Sequence, residues 1–129
     1  MNYSFSKSLA NVTFDEAIQK VTASLKEEGF GILTEIDLKA TLKIKLDVDF
    51  YNYKILGACN PAYAYKALLA EDKIGTMLPC NVIVQEKEAG RVEVSAVDPA
   101  ASMQAIDNKD LQTIANEVSA KLQKVIEAL

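Results

Sequence analysis

Two cysteines stand in similar words in this chain, Gly57-Ala58-Cys59-Asn60-Pro61 and Leu78-Pro79-Cys80-Asn81-Val82. Asn is a favoured N-cap, and Pro at the first helical position wastes no hydrogen bond, so Asn60-Pro61 predicts a helix start. Cys59 then sits at the positive end of that helix, where free amides favour a thiolate or a bound carboxylate or phosphate oxygen. Against this stands the commoner role of a free cysteine, a small buried hydrophobe closing a strand. Cys80 follows Pro79 at a strand entry with no helix to help it, so Cys59 is expected to be the more acidic thiol. Whether the pair acts together depends on topology. A parallel crossover would hold the two on the order of 15–20 Å apart, whereas antiparallel strands would bring them to one end of the sheet. Spacing leaves both arrangements open.

Tyr51, Tyr53, Tyr63 and Tyr65 flank the Cys59 junction as two i, i+2 pairs. They are candidate walls of a cavity, although aromatic residues more often pack core edges. The candidate ligand-binding set is therefore Cys59, Asn60, Pro61, Cys80, Asn81, Tyr53 and Tyr63. Asp47 and Asp49 alternate as two same-face carboxylates, which without a third ligand read as a solvated loop. Lys39, Lys43, Lys45 and Lys54 form a basic cluster that Asp37, Asp47 and Asp49 nearly neutralise.

Composition removes several functions. The 129 residues contain no His, which excludes Ser-His-Asp and Cys-His nucleophile systems and histidine-ligated metals. Two cysteines alone are an incomplete zinc site, so neither a metal nor a cofactor is expected. Eighteen acidic against 14 basic residues argue against a nucleic-acid-binding surface. No apolar run approaches the ~18 residues a membrane span needs, and Met1 to Lys7 does not read as a signal peptide. The expectation is a cytoplasmic domain.

The elements that must position these residues follow from periodicity, beginning with residues 2–8, which alternate as a short strand with Tyr3 and Phe5 on one face. Thr13-Phe14-Asp15-Glu16 is a capping box, Ala17, Ile18, Val21 and Leu25 follow at helical spacing, and Gly29 ends the helix of about 14–28. Phe30 to Ile36 reads as a buried strand, and Asp37 as the cap of a shorter helix through Leu46. Tyr51 to Cys59 is a strand, Pro61 to about Ala70 a helix, and Leu78 to Glu86 a strand. A turn at Lys87-Glu88-Ala89-Gly90 leads to the strictly alternating strand Arg91–Val97, which makes an antiparallel hairpin. Asp98-Pro99 reads as a turn. Leu111, Ile114, Ala115, Val118, Leu122, Val125, Ile126 and Leu129 fall on one stripe of a long final helix. The order predicts an α+β two-layer sandwich of one domain, residues 1–129. It has a mixed five-stranded sheet, a C-terminal hairpin and about four helices on one main face.

With Lys54-Ile55-Leu56-Gly57-Ala58-Cys59-Asn60-Pro61, Leu78-Pro79-Cys80-Asn81-Val82 and Val97-Asp98-Pro99 in view, the chain resembles the bacterial and archaeal family called Domain of Unknown Function 302. The resemblance extends over essentially the whole length, including Ile32-Leu33-Thr34-Glu35-Ile36-Asp37 and the final helix. It implies a compact α+β domain, a homodimer in some members, and no established activity. No acid–base–nucleophile constellation is visible, so binding is favoured over catalysis. The expected function is a module that holds a small anionic or apolar ligand near Cys59-Asn60-Pro61, or an interaction domain. The alternative is a thiol-dependent redox or sulfur-handling protein using Cys59 with or without Cys80.

Overall fold

A computed structural model describes residues 2–129; Met1, with which the N-terminal reading begins, lies outside the described residues. The chain runs β1 (Ser4–Ala10), α1 (Phe14–Glu27), β2 (Gly31–Asp37), α2 (Leu38–Leu46), β3 (Asn52–Cys59) and α3 (Pro61–Ala70). A 3-10 turn over Asp72–Met77 leads to β4 (Cys80–Glu88), β5 (Arg91–Val97), α4 (Pro99–Ser102) and α5 (Lys109–Glu127). The sheet order is β1-β5-β4-β3-β2, and every neighbouring pair is antiparallel. The mixed sheet expected from sequence is thus corrected. The α3 segment returns the chain to the end of the sheet it had just left, so no parallel crossover forms.

The periodic segments behave as their patterns require. Thr13 Oγ1 accepts from the Glu16 amide while a Glu16 carboxylate oxygen accepts from the Thr13 amide, each at 3.1 Å. Gly29 ends the helix at φ +88°, in the left-handed region that glycine enters without steric cost. Asp37 accepts from the Ala40 amide and caps α2 as expected. The α5 cap is Asn108, whose side chain accepts from the Leu111 amide. The α5 stripe Leu111, Ala115, Val118, Leu122, Val125 and Ile126 is buried, and Ile114 is half-buried between two clusters. Val82, Val84, Val92, Val94 and Ala96 meet α1 and α5 from the inner sheet face.

Three local readings change. β2 is an edge strand with almost all of its side chains exposed, not a buried one. The hairpin turn is tighter, because β4 extends to Glu88, which pairs with Arg91 around Gly90 at φ +83°. Asp98-Pro99 opens the short helix α4, with Asp98 Oδ1 accepting from the Ala100 amide. That helix and the 3-10 turn carry Met103 and Ile74 into a second apolar cluster with Ala67, Leu111 and Ala115.

Candidate functional site

Cys59 and Cys80 share one end of the sheet. Ala58 stands directly across the β3–β4 ladder from Cys80, and Cys59, the next residue, pairs with Gly31 of β2. Adjacent strands lie about 4.8 Å apart, so the antiparallel arrangement brings together two cysteines that are far apart in sequence. Both thiols are free, Cys59 half-buried and Cys80 buried. Burial pushes the Cys80 thiol up to about 11, and the neighbouring Cys59 adds to the effect. Cys80 is therefore a neutral thiol at neutral pH.

The two cysteines line a cavity of about 40 Å³. It lies on the seam between the main core, represented by Phe30, Ala58, Cys80 and Val118, and the second cluster of Ala67, Met103, Leu111 and Ala115. The void has a local cause. Four of its lining residues are alanines, Ala58 on β3, Ala64 and Ala67 on α3, and Ala115 on α5. Larger side chains at these positions would close the seam, because interiors otherwise pack with few voids above the size of a water molecule.

Asn60 does not cap α3. Its side chain makes no cap hydrogen bond; its amide nitrogen donates to the Glu28 carbonyl at 3.2 Å. The end of α1 leaves carbonyls without helical partners, and Asn60 satisfies one of them. The close turn at Gly29 makes room, since a Cβ there would stand 3.0 Å from Asn60 Nδ2. Asn60 thus ties the start of α3 to the end of α1. Tyr63, one turn on, lines the cavity, with Lys66 Nζ 5.5 Å and Lys121 Nζ 5.9 Å from its ring centroid. Lys121 also lies 3.8 Å from a Glu28 carboxylate oxygen.

The structure divides the remaining candidates. Pro61 borders a separate surface depression with Thr22, Lys26 and Gly29. Asn81 and Tyr53 lie in a depression with Ser6, Gln85, Glu93 and Ser95, apart from the cavity. Alternation along the strand explains Asn81, because the residue after Cys80 faces the other way. Tyr51 and Tyr53 gather with Phe50, and burial followed by Tyr51 and Tyr3 pushes the Tyr53 phenol up. Lys43 Nζ lies 3.0 Å from Asp47 and 3.3 Å from Asp49, so this carboxylate pair holds a lysine. Lys54 pairs with Glu35 at 2.7 Å, which raises its pKa chiefly through that hydrogen bond. Sequence reasoning missed Met103, Leu78 and the alanine walls. Met103 follows a segment read as a turn, and an alanine at helical spacing carries no sign that it faces a void.

The family model for the domain of unknown function DUF302 matches residues 5–129. The chain belongs to the DUF302 family. A solved structure, an uncharacterized conserved DUF302 protein from Bacillus stearothermophilus, is similar at 26% sequence identity with a TM-score of 0.89. The similarity covers 98% of each chain, so this DUF302 chain and that protein share the whole fold. No protein of curated function matches. Among the described residues, no helix is long and apolar enough to cross a membrane.

Proposed function

We propose that this DUF302 domain is a non-enzymatic binding module whose ligand site is the cavity beside Cys59 and Cys80. The observation that supports the reading is a small apolar pocket, lined by four alanines and by both cysteines, where larger side chains would close the seam. At about 40 Å³ it admits a ligand of only a few heavy atoms. Of the two ligand classes expected, the apolar one is favoured, because Asn60 spends its amide on Glu28 and the cavity walls are mainly apolar. The test is an amide-resolved NMR titration with dimethyl sulfide. Shifts centred on Ala58, Tyr63, Ala67, Met103 and Ala115, and absent in Ala58→Val, support the reading. Shifts scattered over the surface, or none, remove it.

A thiol-redox role is the second reading, and the convergence of the two cysteines favours it. Oxidation would join the two sulfurs by exchange with a disulfide such as oxidised glutathione, whose S–S bond breaks and which takes up the two electrons and two protons to leave as two molecules of glutathione. The neutral, buried Cys80 makes it the slower partner in such exchange. Mass spectrometry after equilibration with oxidised glutathione decides, since retention of both free thiols removes this role. Reduced thiols suit the cytoplasm as the working compartment.

Self-association is proposed alongside. Leu33, Ile36, Ile44, Leu46 and Val48 are exposed on and around β2 and α2, with Ile44 83% accessible. Such a cluster next to an edge strand suits coverage by a second copy of the chain. Sedimentation equilibrium giving a monomer mass at working concentration would remove this proposal and leave the fold untouched.

A further inference from the structure

Tyr53 and Asn81 border an open depression of about 400 Å³ on the face of the sheet opposite the cavity. We propose that this depression binds a neutral polyhydroxylated ligand of monosaccharide size. The strand register shows which side chains converge there. Tyr53 stands directly across from Gln85, and Gln85 across from Glu93. One row on, Ile83 stands across from Ser95, and Ser95 across from Ser6. Residues two apart on a strand face the same way, so Asn81 joins this face with Ile83 and Gln85. Cross-strand neighbours hold their Cβ atoms about 5 Å apart, which puts these polar groups within reach of one hexose. All of the lining comes from the strands and from Tyr3 just before β1, while α1 and α5 cover the other face.

Size and chemistry select the ligand class. About 400 Å³ falls within the ~300–1,000 Å³ of small-molecule sites. Asn81 and Gln85 each carry a carbonyl and two N–H groups, and the Glu93 carboxylate accepts, so donors and acceptors alternate as vicinal hydroxyls require. Ser6 Oγ and Ser95 Oγ lie 2.8 Å apart; that contact uses one of their two protons and leaves the other hydroxyl free to donate. Ile83 is an apolar floor, and Tyr3, 71% exposed, offers a ring face to the C–H side of a sugar. Charge argues for neutrality. Among the described residues no lysine or arginine lines the depression, so a phosphate or carboxylate would meet Glu93 without a counter-charge. A cation is disfavoured too, because Glu93 shares the adjoining depression with Lys87 and Arg91, which offset its charge.

The test is NMR titration of the full chain with glucose, galactose, mannose and N-acetylglucosamine, each to tens of millimolar, with inorganic phosphate and tetramethylammonium as charged probes. The expected result is saturable shifts of the Asn81 and Gln85 side-chain amides and of the Ile83 and Ser95 backbone amides with at least one sugar. Gln85→Ala and Tyr3→Ala, with melting curves confirming that they fold, should each bind that sugar roughly fivefold more weakly, the scale of one hydrogen bond or one ring contact. If none of the four sugars gives saturable shifts, or if both variants titrate as wild type does, the proposal is overturned. Tighter binding of tetramethylammonium or phosphate than of any sugar overturns it as well. Shifts of the same amides on dilution without sugar would mean that a second copy covers this face, which also overturns it. Dimethyl sulfide reports on the cavity under the other face, so either site can fail while the other stands.

Discussion

Cys80 converts the geometry of the cavity into a pH dependence of stability. Its thiol is pushed from 9.0 to about 11 in the folded chain, chiefly by burial and secondarily by Cys59. Below about pH 9 the thiol is protonated in both states, and the folded chain retains its full advantage. Between about pH 9 and 11 the unfolded chain sheds the proton and the folded chain does not, so stability falls as pH rises. Two units at about 1.4 kcal/mol each give a loss on the order of 3 kcal/mol once the folded pKa is passed. Urea unfolding of wild type and Cys80→Ala at about pH 8 and about pH 11 isolates the effect, because lysines and tyrosines titrate in both proteins and cancel in the difference. Wild type should lose on the order of 3 kcal/mol more than the variant across that window. Equal losses would mean that the thiol reaches water in the folded state, and the burial argument would fail.

Other outcomes follow from the same contacts. Ala58→Val should fill part of the void; at ~24 cal/mol per Å³ the 40 Å³ sets a ceiling of about 1 kcal/mol of added stability, and a loss in thermal unfolding would show that the seam is already closed. Asn60→Ala should cost about 1 kcal/mol, and amide exchange should quicken at Gly29 and Phe30 rather than at Ala62 and Tyr63, because the lost bond is to Glu28. Leu122→Ala, at 0% exposure under the sheet, should cost roughly 2–5 kcal/mol in denaturant unfolding. In native protein near neutral pH, a mass-resolved alkylation time course should label half-buried Cys59 before Cys80. The reverse order would place the accessible thiol on the wrong strand.

The parts of the fold legible in the sequence are those determined by local pattern. The Thr13–Glu16 capping box, the α5 stripe and the Arg91–Val97 alternation each satisfy a rule that neighbours within the element enforce. What pattern could not carry was direction and partnership. The words around Cys59 and Cys80 are compatible with parallel or antiparallel strands, and only the return of the chain through α3 settles that they meet. Asn60 shows the same limit, since a side chain suited to capping found a better acceptor in the last turn of a helix about 30 residues earlier. β2 reads as buried because its residues are β-formers, yet its place at the sheet edge is set by the strands beside it. Of the candidate site, Cys59, Asn60, Tyr63 and Cys80 converge at one end of the sheet, while Tyr53 and Asn81 lie in a different depression. The alternation of Cys80 and Asn81 along one strand already required that separation.

Ligand binding beside the two cysteines requires an accessible cavity there, and xenon tests for one most directly because it enters small apolar cavities without needing a polar partner. Crystals of the full chain under xenon pressure should show one anomalous peak per chain, among Ala58, Ala67, Met103 and Ala115, and none in crystals of Ala58→Val. A wild-type map with no peak there, or a peak that survives unchanged in Ala58→Val, would contradict the cavity as the ligand site.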